Sequence, residues 1–222
     1  MKKYRLIYIM SGSIILLIVL CIVFFMRKDV GSSNESNEKI TTQAEEIQTT
    51  KYEDPFLKSD AITERFLTVN EYSRPGKKLR KVKGVVVHYV ANPNTTAENN
   101  RNYFENLKDT HERSASSHYI VGLEGEILQC IPLDEIAYAS NDRNNDTIAI
   151  ECCHPDATGK FNSMTYESLV NLTAALCNTY NLDPNKDVIR HYDVTGKMCP
   201  LYFVENEDEW HYFLMQVNSK MK

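Results

Sequence analysis

Residues Gly84 to Val90 read GVVVHYV. A short, wholly apolar, β-branched run of this kind marks a strand buried on both faces, the environment of a strand inside an α/β sheet. The chain on either side agrees. NTTAENNRNYFENLKD follows, a helix in which Thr95 and Glu98 form a capping box and Tyr103, Phe104 and Leu107 share one face. SSHYIVGLEGEILQCIP reads as two strands around Glu124-Gly125, a hairpin. TIAIECC (Thr147 to Cys153) is a second buried strand, and TYESLVNLTAALCNTYNL (Thr165 to Leu182) is a helix with Leu169, Leu172 and Leu176 on one stripe. KDVIRHY ends a further strand, and ENEDEWHYFLMQV is a C-terminal helix. Strands alternating with helices predict a single α/β domain, a central mixed β-sheet flanked by helices. The preceding stretch, from Tyr52 to about Lys83, reads as an irregular lead-in with one short helix.

The histidines carry the chemistry. His88 closes VVVH and His191 closes VIRH, both at the end of an apolar strand, where open α/β sheets place their ligands. Taken singly, each is more often a hydrogen-bonded core residue than a ligand. Eight residues beyond His191, in HYDVTGKMCP, stands Cys199. Two imidazoles and one thiolate suit Zn2+, and three protein ligands leave a fourth position open, which is the catalytic arrangement. Asp193 is placed to orient a ligand or brace the loop. Cys152, Cys153 and His154 look like a second cluster but cannot converge, because adjacent strand residues point to opposite faces. Cys130, Cys152, Cys153 and Cys177 read as small buried hydrophobes, with disulfide pairing as the alternative. His111 and His211 lie in polar helical contexts and read as surface residues.

Charge excludes one class of partner. All five charged residues before Asp29 are basic, which leaves 20 basic against 30 acidic side chains in the remainder. A nucleic-acid binder needs the opposite balance. The basic run RPGKKLRKVK (Arg74 to Lys83) fits an anionic polymer or, as preferred here, a solvated approach to a strand. Leu6 to Met26 is 21 residues without a charge. As a helix it spans roughly 31 Å, about the hydrocarbon core of a bilayer. It ends in FFMRK without a small-residue cleavage site, so residues 1–28 are expected to be an uncleaved anchor. Residues 29–51 are expected to be a disordered linker reaching roughly 25 Å, and 52–222 the folded domain.

VVVHYV, SSHYIVG, TIAIE and H-x-D-x-x-x-K-x-C-P occur in that order. Together they resemble the zinc-dependent N-acetylmuramoyl-L-alanine amidases of the phage lysozyme and peptidoglycan recognition protein type, over about residues 66–222. The resemblance implies a peptidoglycan substrate, cleaved at the amide between the lactyl group of muramic acid and L-alanine. It makes His88, His191 and Cys199 the ligands of one catalytic zinc, puts Glu151 where many bacterial members keep a catalytic glutamate, and matches Lys197 to a lysine near the substrate carbonyl. His118 matches a family histidine beside the site, on the substrate side or behind the metal. Ser117 stands where phage-type members carry a catalytic tyrosine, so that role does not transfer. Ala137-Tyr138 stands where others show Trp-His.

The chemistry has its own logic. Amides are poor electrophiles, and zinc acidifies water and polarises a carbonyl. Glu151 in an otherwise apolar strand could move the proton, and Lys197 could steady the oxyanion or be a solvated loop lysine. Catalysis implies an extracytoplasmic domain at the cell membrane, with the N-terminus in the cytoplasm. Two other readings compete. A membrane-tethered peptidoglycan recognition module would hold fragments without cutting them, but such relatives lose the cysteine ligand that Cys199 retains. A thiol redox protein would leave His88 and His191 unexplained.

Overall fold

Val85, Val86 and Val87 are wholly buried, and each such side chain contributes about 1.5–3 kcal/mol by leaving water. Their strand lies inside a six-stranded sheet. The computed structural model describes residues 52–222; the apolar run Leu6–Met26 and the linker 29–51 lie outside the described residues. Among the described residues no helix is long and apolar enough to cross a membrane. The strands are β1 (Ile62–Glu64), β2 (Gly84–Tyr89), β3 (Tyr119–Val121), β4 (Ile127–Gln129), β5 (Thr147–Cys152) and β6 (Val188–Arg190), in the sheet order β1-β4-β3-β5-β2-β6. Only the β3–β4 hairpin is antiparallel; every other neighbouring pair is parallel. The helices are α1 (Ala97–Thr110), α2 (Ser163–Tyr180), α3 (Pro184–Asp187), α4 (His191–Thr195), α5 (Leu201–Glu205) and α6 (Glu207–Lys220). The result is one α/β domain with a mixed sheet.

Alternation along β5 and the residue after it sends successive side chains into two cores. Ile148, Ile150 and Cys152 join the larger one, with Leu169, Leu172 and Leu176 of α2 and Trp210, Phe213 and Val217 of α6. Cys153 joins the smaller one, with Phe104 and Leu107 of α1. Cys130, Cys152, Cys153 and Cys177 are buried free thiols, in keeping with their reading as small hydrophobes.

Four local expectations need correction. The lead-in holds a strand: β1 pairs in parallel with β4 at the sheet edge, too short at three residues to show a period. The capping box of α1 is Thr96 with Asn99, not Thr95 with Glu98. Thr95 instead turns its hydroxyl to the Asn92 carbonyl, leaving Thr96 to cap. Tyr103 is 40% exposed while Phe104 and Leu107 of the same helix are buried. Finally, β6 stops at Arg190 and His191 opens α4, because the Asp193 carboxylate accepts the Arg190 N–H and turns the chain into a helix. Part of the basic run before β2 is held by acids: Arg74 pairs with Glu135, Lys78 with Asp134 and Lys83 with Asp146.

Candidate active site

Parallel pairing builds the site. His88 on β2 and Glu151 on β5 are direct partners across the sheet, so their side chains emerge on the same face. β6 flanks β2 on the other side, with Arg190 opposite Val87, and His191 follows immediately. Three neighbouring strands thus deliver an imidazole, a carboxylate and a second imidazole to their carboxyl ends. The loop after α4 brings back Cys199, whose carbonyl accepts the Tyr192 N–H at 2.8 Å.

Arg190 fixes that loop. It is 7% exposed and donates to Asp193 Oδ1 at 2.9 Å, to Glu207 Oε2 at 2.6 Å and to the Phe203 carbonyl at 3.1 Å. Its guanidinium also lies 5.4 Å from the Trp210 ring. Burial opposes its charge, but Asp193 and Glu207 hold its pKa above the ordinary value. Asp193 therefore braces the turn that carries His191, and it does so through Arg190.

The ligand atoms of His88, His191 and Cys199 all lie within 4.8 Å of one another. Cys199 Sγ and Glu151 Oε1 are each 3.9 Å from His88 Nδ1, and the two imidazole centroids are 4.5 Å apart. In a tetrahedral zinc site the donor atoms would be separated by roughly 3.3–3.6 Å, so the cluster needs only a small contraction. Two buried polar atoms here have no hydrogen-bond partner among the described residues, His191 Nδ1 and Glu151 Oε2. Orphaned donors and acceptors of this kind are costly, and a cation with its coordinated groups would satisfy them. The residues fit the metal.

Electrostatics agree. Burial, the neighbouring His191 and Lys197 push His88 well below the usual histidine pKa, and burial with Lys197 lowers His191. Both rings are therefore neutral at pH 7, as ligation requires. Burial raises Glu151 to about 8, with Lys197 pulling the other way. Burial and Glu151 raise the Cys199 thiol to about 12, so a metal must displace its proton.

The cluster opens into a cleft of about 530 Å³, whose lining includes Tyr103, Arg113, Tyr138, Asn141 and Lys197. Two cations and the single acid Glu151 line it, although residues 52–222 carry 18 basic against 25 acidic side chains. Lys197 is exposed at the lip. His118 does not line the cleft. It is 1% exposed, its Nδ1 accepts the Ala149 N–H at 3.0 Å, and its Nε2 donates to the Glu135 carbonyl at 2.9 Å. Ser117 is buried and donates to backbone carbonyls. His154 is buried with Nδ1 donating to the Asp156 carbonyl; His111 stacks on Tyr72, and His211 is exposed beside Glu207.

Several of these residues were not singled out in the sequence. Arg190 had a signal, a charge inside the apolar strand VIR. Arg113, Asn141 and Asn144 had none, and Tyr103 reads as a packing residue of its helix, since loop and helix residues reach the cleft only through packing.

Comparison with known proteins gives the same answer. Over 180 residues the chain is 37% identical to N-acetylmuramoyl-L-alanine amidase BlyA of Bacillus subtilis strain 168, covering 72% of this chain and 47% of that protein. It is likewise 37% identical over 171 residues to N-acetylmuramoyl-L-alanine amidase CwlL of Bacillus licheniformis, covering 71% and 47%. The chain thus spans about half the length of the curated relatives it matches. A solved mutant endolysin from Bacillus subtilis superposes with a TM-score of 0.59 at 28% identity, covering 70% of this chain and 97% of that one. The family model Amidase_2, described as N-acetylmuramoyl-L-alanine amidase, matches residues 78–201, a span that runs from before β2 to just past Cys199. With more than half its length matched and the site intact within it, the chain belongs to the N-acetylmuramoyl-L-alanine amidase family.

Proposed function

We propose that the protein hydrolyses the amide joining N-acetylmuramic acid to the L-alanine of the peptidoglycan stem peptide, as a zinc enzyme. The observation that carries this reading is the packing of three ligand atoms within 4.8 Å beside Glu151 at the floor of an open cleft. His88, His191 and Cys199 would hold the zinc, which when bound acidifies water and polarises an amide carbonyl. Glu151 sits within reach of that position and has an unpaired oxygen. Its raised pKa would fall beside a zinc cation, leaving it ionised. It then serves the two proton movements amide hydrolysis needs, taking one from the attacking water and giving one to the departing amine. Lys197 offers positive charge at the lip for the developing oxyanion. Tyr103 and Tyr138 supply aromatic surface on the cleft walls.

The test uses the full-length chain and purified peptidoglycan, with and without a zinc chelator, counting new alanine amino groups and new reducing sugar ends separately. Zinc-dependent release of alanine amines without new sugar ends is the expected result. Binding with neither product, from protein carrying zinc, would leave a recognition module instead.

The uncharged run Leu6–Met26 supports a second part of the proposal, that the domain works at the outer face of the membrane on a short tether. Protease added to intact cells should then remove the domain while leaving a membrane-bound stub. Protection of the domain, or its recovery in the soluble fraction of unproteolysed cells, would remove the tether.

A further inference from the structure

We propose that Ser140 is a positioning residue for the metal site, fixing the tautomer and orientation of His88, and that Asn144 fixes Ser140 in turn. The inference rests on the zinc reading above. A neutral imidazole has one N–H and one lone pair, and only the nitrogen with the lone pair can ligate. The two nitrogens of His88 face different groups. Nδ1 looks toward Cys199 Sγ and Glu151 Oε1, while Nε2 lies 3.1 Å from Ser140 Oγ. With Nε2–H donating to that hydroxyl, the lone pair stays on Nδ1, aimed into the cluster. The ring is 2% exposed and Ser140 1%, so no bulk water competes for the bond.

Ser140 does not line the cleft, although Ala139, Asn141 and Asn144 do. Its hydroxyl is behind the imidazole, so its effect on chemistry passes through His88. The serine is itself held. Asn144 Oδ1 accepts the N–H groups of Ser140 at 2.6 Å and Ala139 at 3.0 Å. The Ser140 carbonyl accepts the Arg143 N–H at 3.0 Å, closing a 3-10 turn over Asn141–Asn145. Entry to that turn puts Asn141 at a φ of 50°, a left-handed conformation asparagine tolerates. Thr147 then donates to the Arg143 carbonyl at 2.6 Å, tying the turn to the start of β5. The turn that orients His88 and the strand that carries Glu151 are thus one connected unit.

The test measures Zn2+ affinity of the full-length chain by competition with a chromophoric chelator, together with the long-range 1H–15N correlation of His88 in the metal-free protein. Ser140→Ala should weaken zinc binding roughly 10- to 100-fold and replace a single Nε2–H tautomer with a mixture. Asn144→Ala, which keeps the hydroxyl but removes its support, should weaken binding by a smaller factor. Asn144→Asp keeps an acceptor for both N–H groups and should bind at least as tightly as wild type. Unchanged affinity in Ser140→Ala, or weakened affinity with an unchanged tautomer, overturns the positioning role. Should Ser140→Ala fail to fold, the Asn144 pair decides, because equal affinities of its Ala and Asp variants overturn the role as well. Wild-type protein that takes up no zinc overturns the site and the positioning role together, which keeps the two failures distinguishable.

Discussion

His88 and His118 are both buried histidines, 2% and 1% exposed, set on either side of β5. His118 gives each ring nitrogen a backbone partner, the Ala149 N–H and the Glu135 carbonyl. Its environment is closed, and it joins β5 to the segment after β4. His88 commits one nitrogen to Ser140 and leaves the other facing a carboxylate at 3.9 Å, beyond good hydrogen-bonding distance, and a thiol in a long sulfur contact at 3.9 Å. Nearby His191 Nδ1 and Glu151 Oε2 have no hydrogen-bond partner among the described residues. Burial alone does not separate a structural histidine from a ligand. What separates them is whether the fold has already used up both nitrogens, because a fully satisfied ring has no lone pair to offer.

That contrast can be broken at several points. Glu151→Gln keeps the shape of the open cluster but removes the proposed proton carrier, so turnover should fall by roughly 10²- to 10⁴-fold with zinc content unchanged. Retained turnover would mean the unpaired oxygen is not catalytic. His118→Ala attacks the closed side. It strands the Ala149 N–H and the Glu135 carbonyl, and urea unfolding of the metal-free chain should show a loss of about 2–5 kcal/mol. Zinc affinity should stay within twofold of wild type, and a collapse of affinity at unchanged stability would exchange the two roles.

The pH dependence sharpens the same point. Burial lowers His118 to about 4 from an unfolded value of 6.5, opposed by its bond to the Glu135 backbone. As pH falls, the unfolded chain takes the proton first. The stability this neutral ring contributes is therefore complete above about pH 6.5 and is lost by about pH 4, a change of about 3 kcal/mol. A His118→Gln variant should show a flatter stability profile across that window, and an unchanged profile would place the titrating group elsewhere.

The smallest effect is expected at the cleft wall. Arg113 is exposed, lines the cleft and has no ion pair among the described residues. Arg113→Ala should lower kcat/KM by about twofold to fivefold, corresponding to about 0.4–1 kcal/mol. The difference should vanish in high salt, as screening of a solvated charge requires. A loss that persists in high salt would make Arg113 a direct substrate contact.

Much of this architecture is local and therefore legible. VVV and IAI announce their own burial, α2 carries its leucine stripe, and the hairpin turns where Glu124-Gly125 stands. The three candidate ligands could be grouped because two end apolar strands and the third lies in the loop after one of them. Strand-terminal chemistry depends on short-range periodicity, which a sequence displays directly.

Other features depended on pairings far apart in the chain. β1 is a strand only because β4 is beside it, 65 residues later in register from Ile62 to Ile127. His118 looked like part of the site until its partners at Ala149 and Glu135 were visible. Ser140 and Asn144 carry no motif, and their relation to His88 exists only because the β4–β5 connection folds back behind β2. The amino-acid sequence by itself determined which residues could bind a metal and which strands would be buried, since both follow from side-chain type and spacing. Tertiary structure decided which polar atoms remained free once the backbone had taken its share, because hydrogen-bond partners distant in sequence compete for the same nitrogens and oxygens.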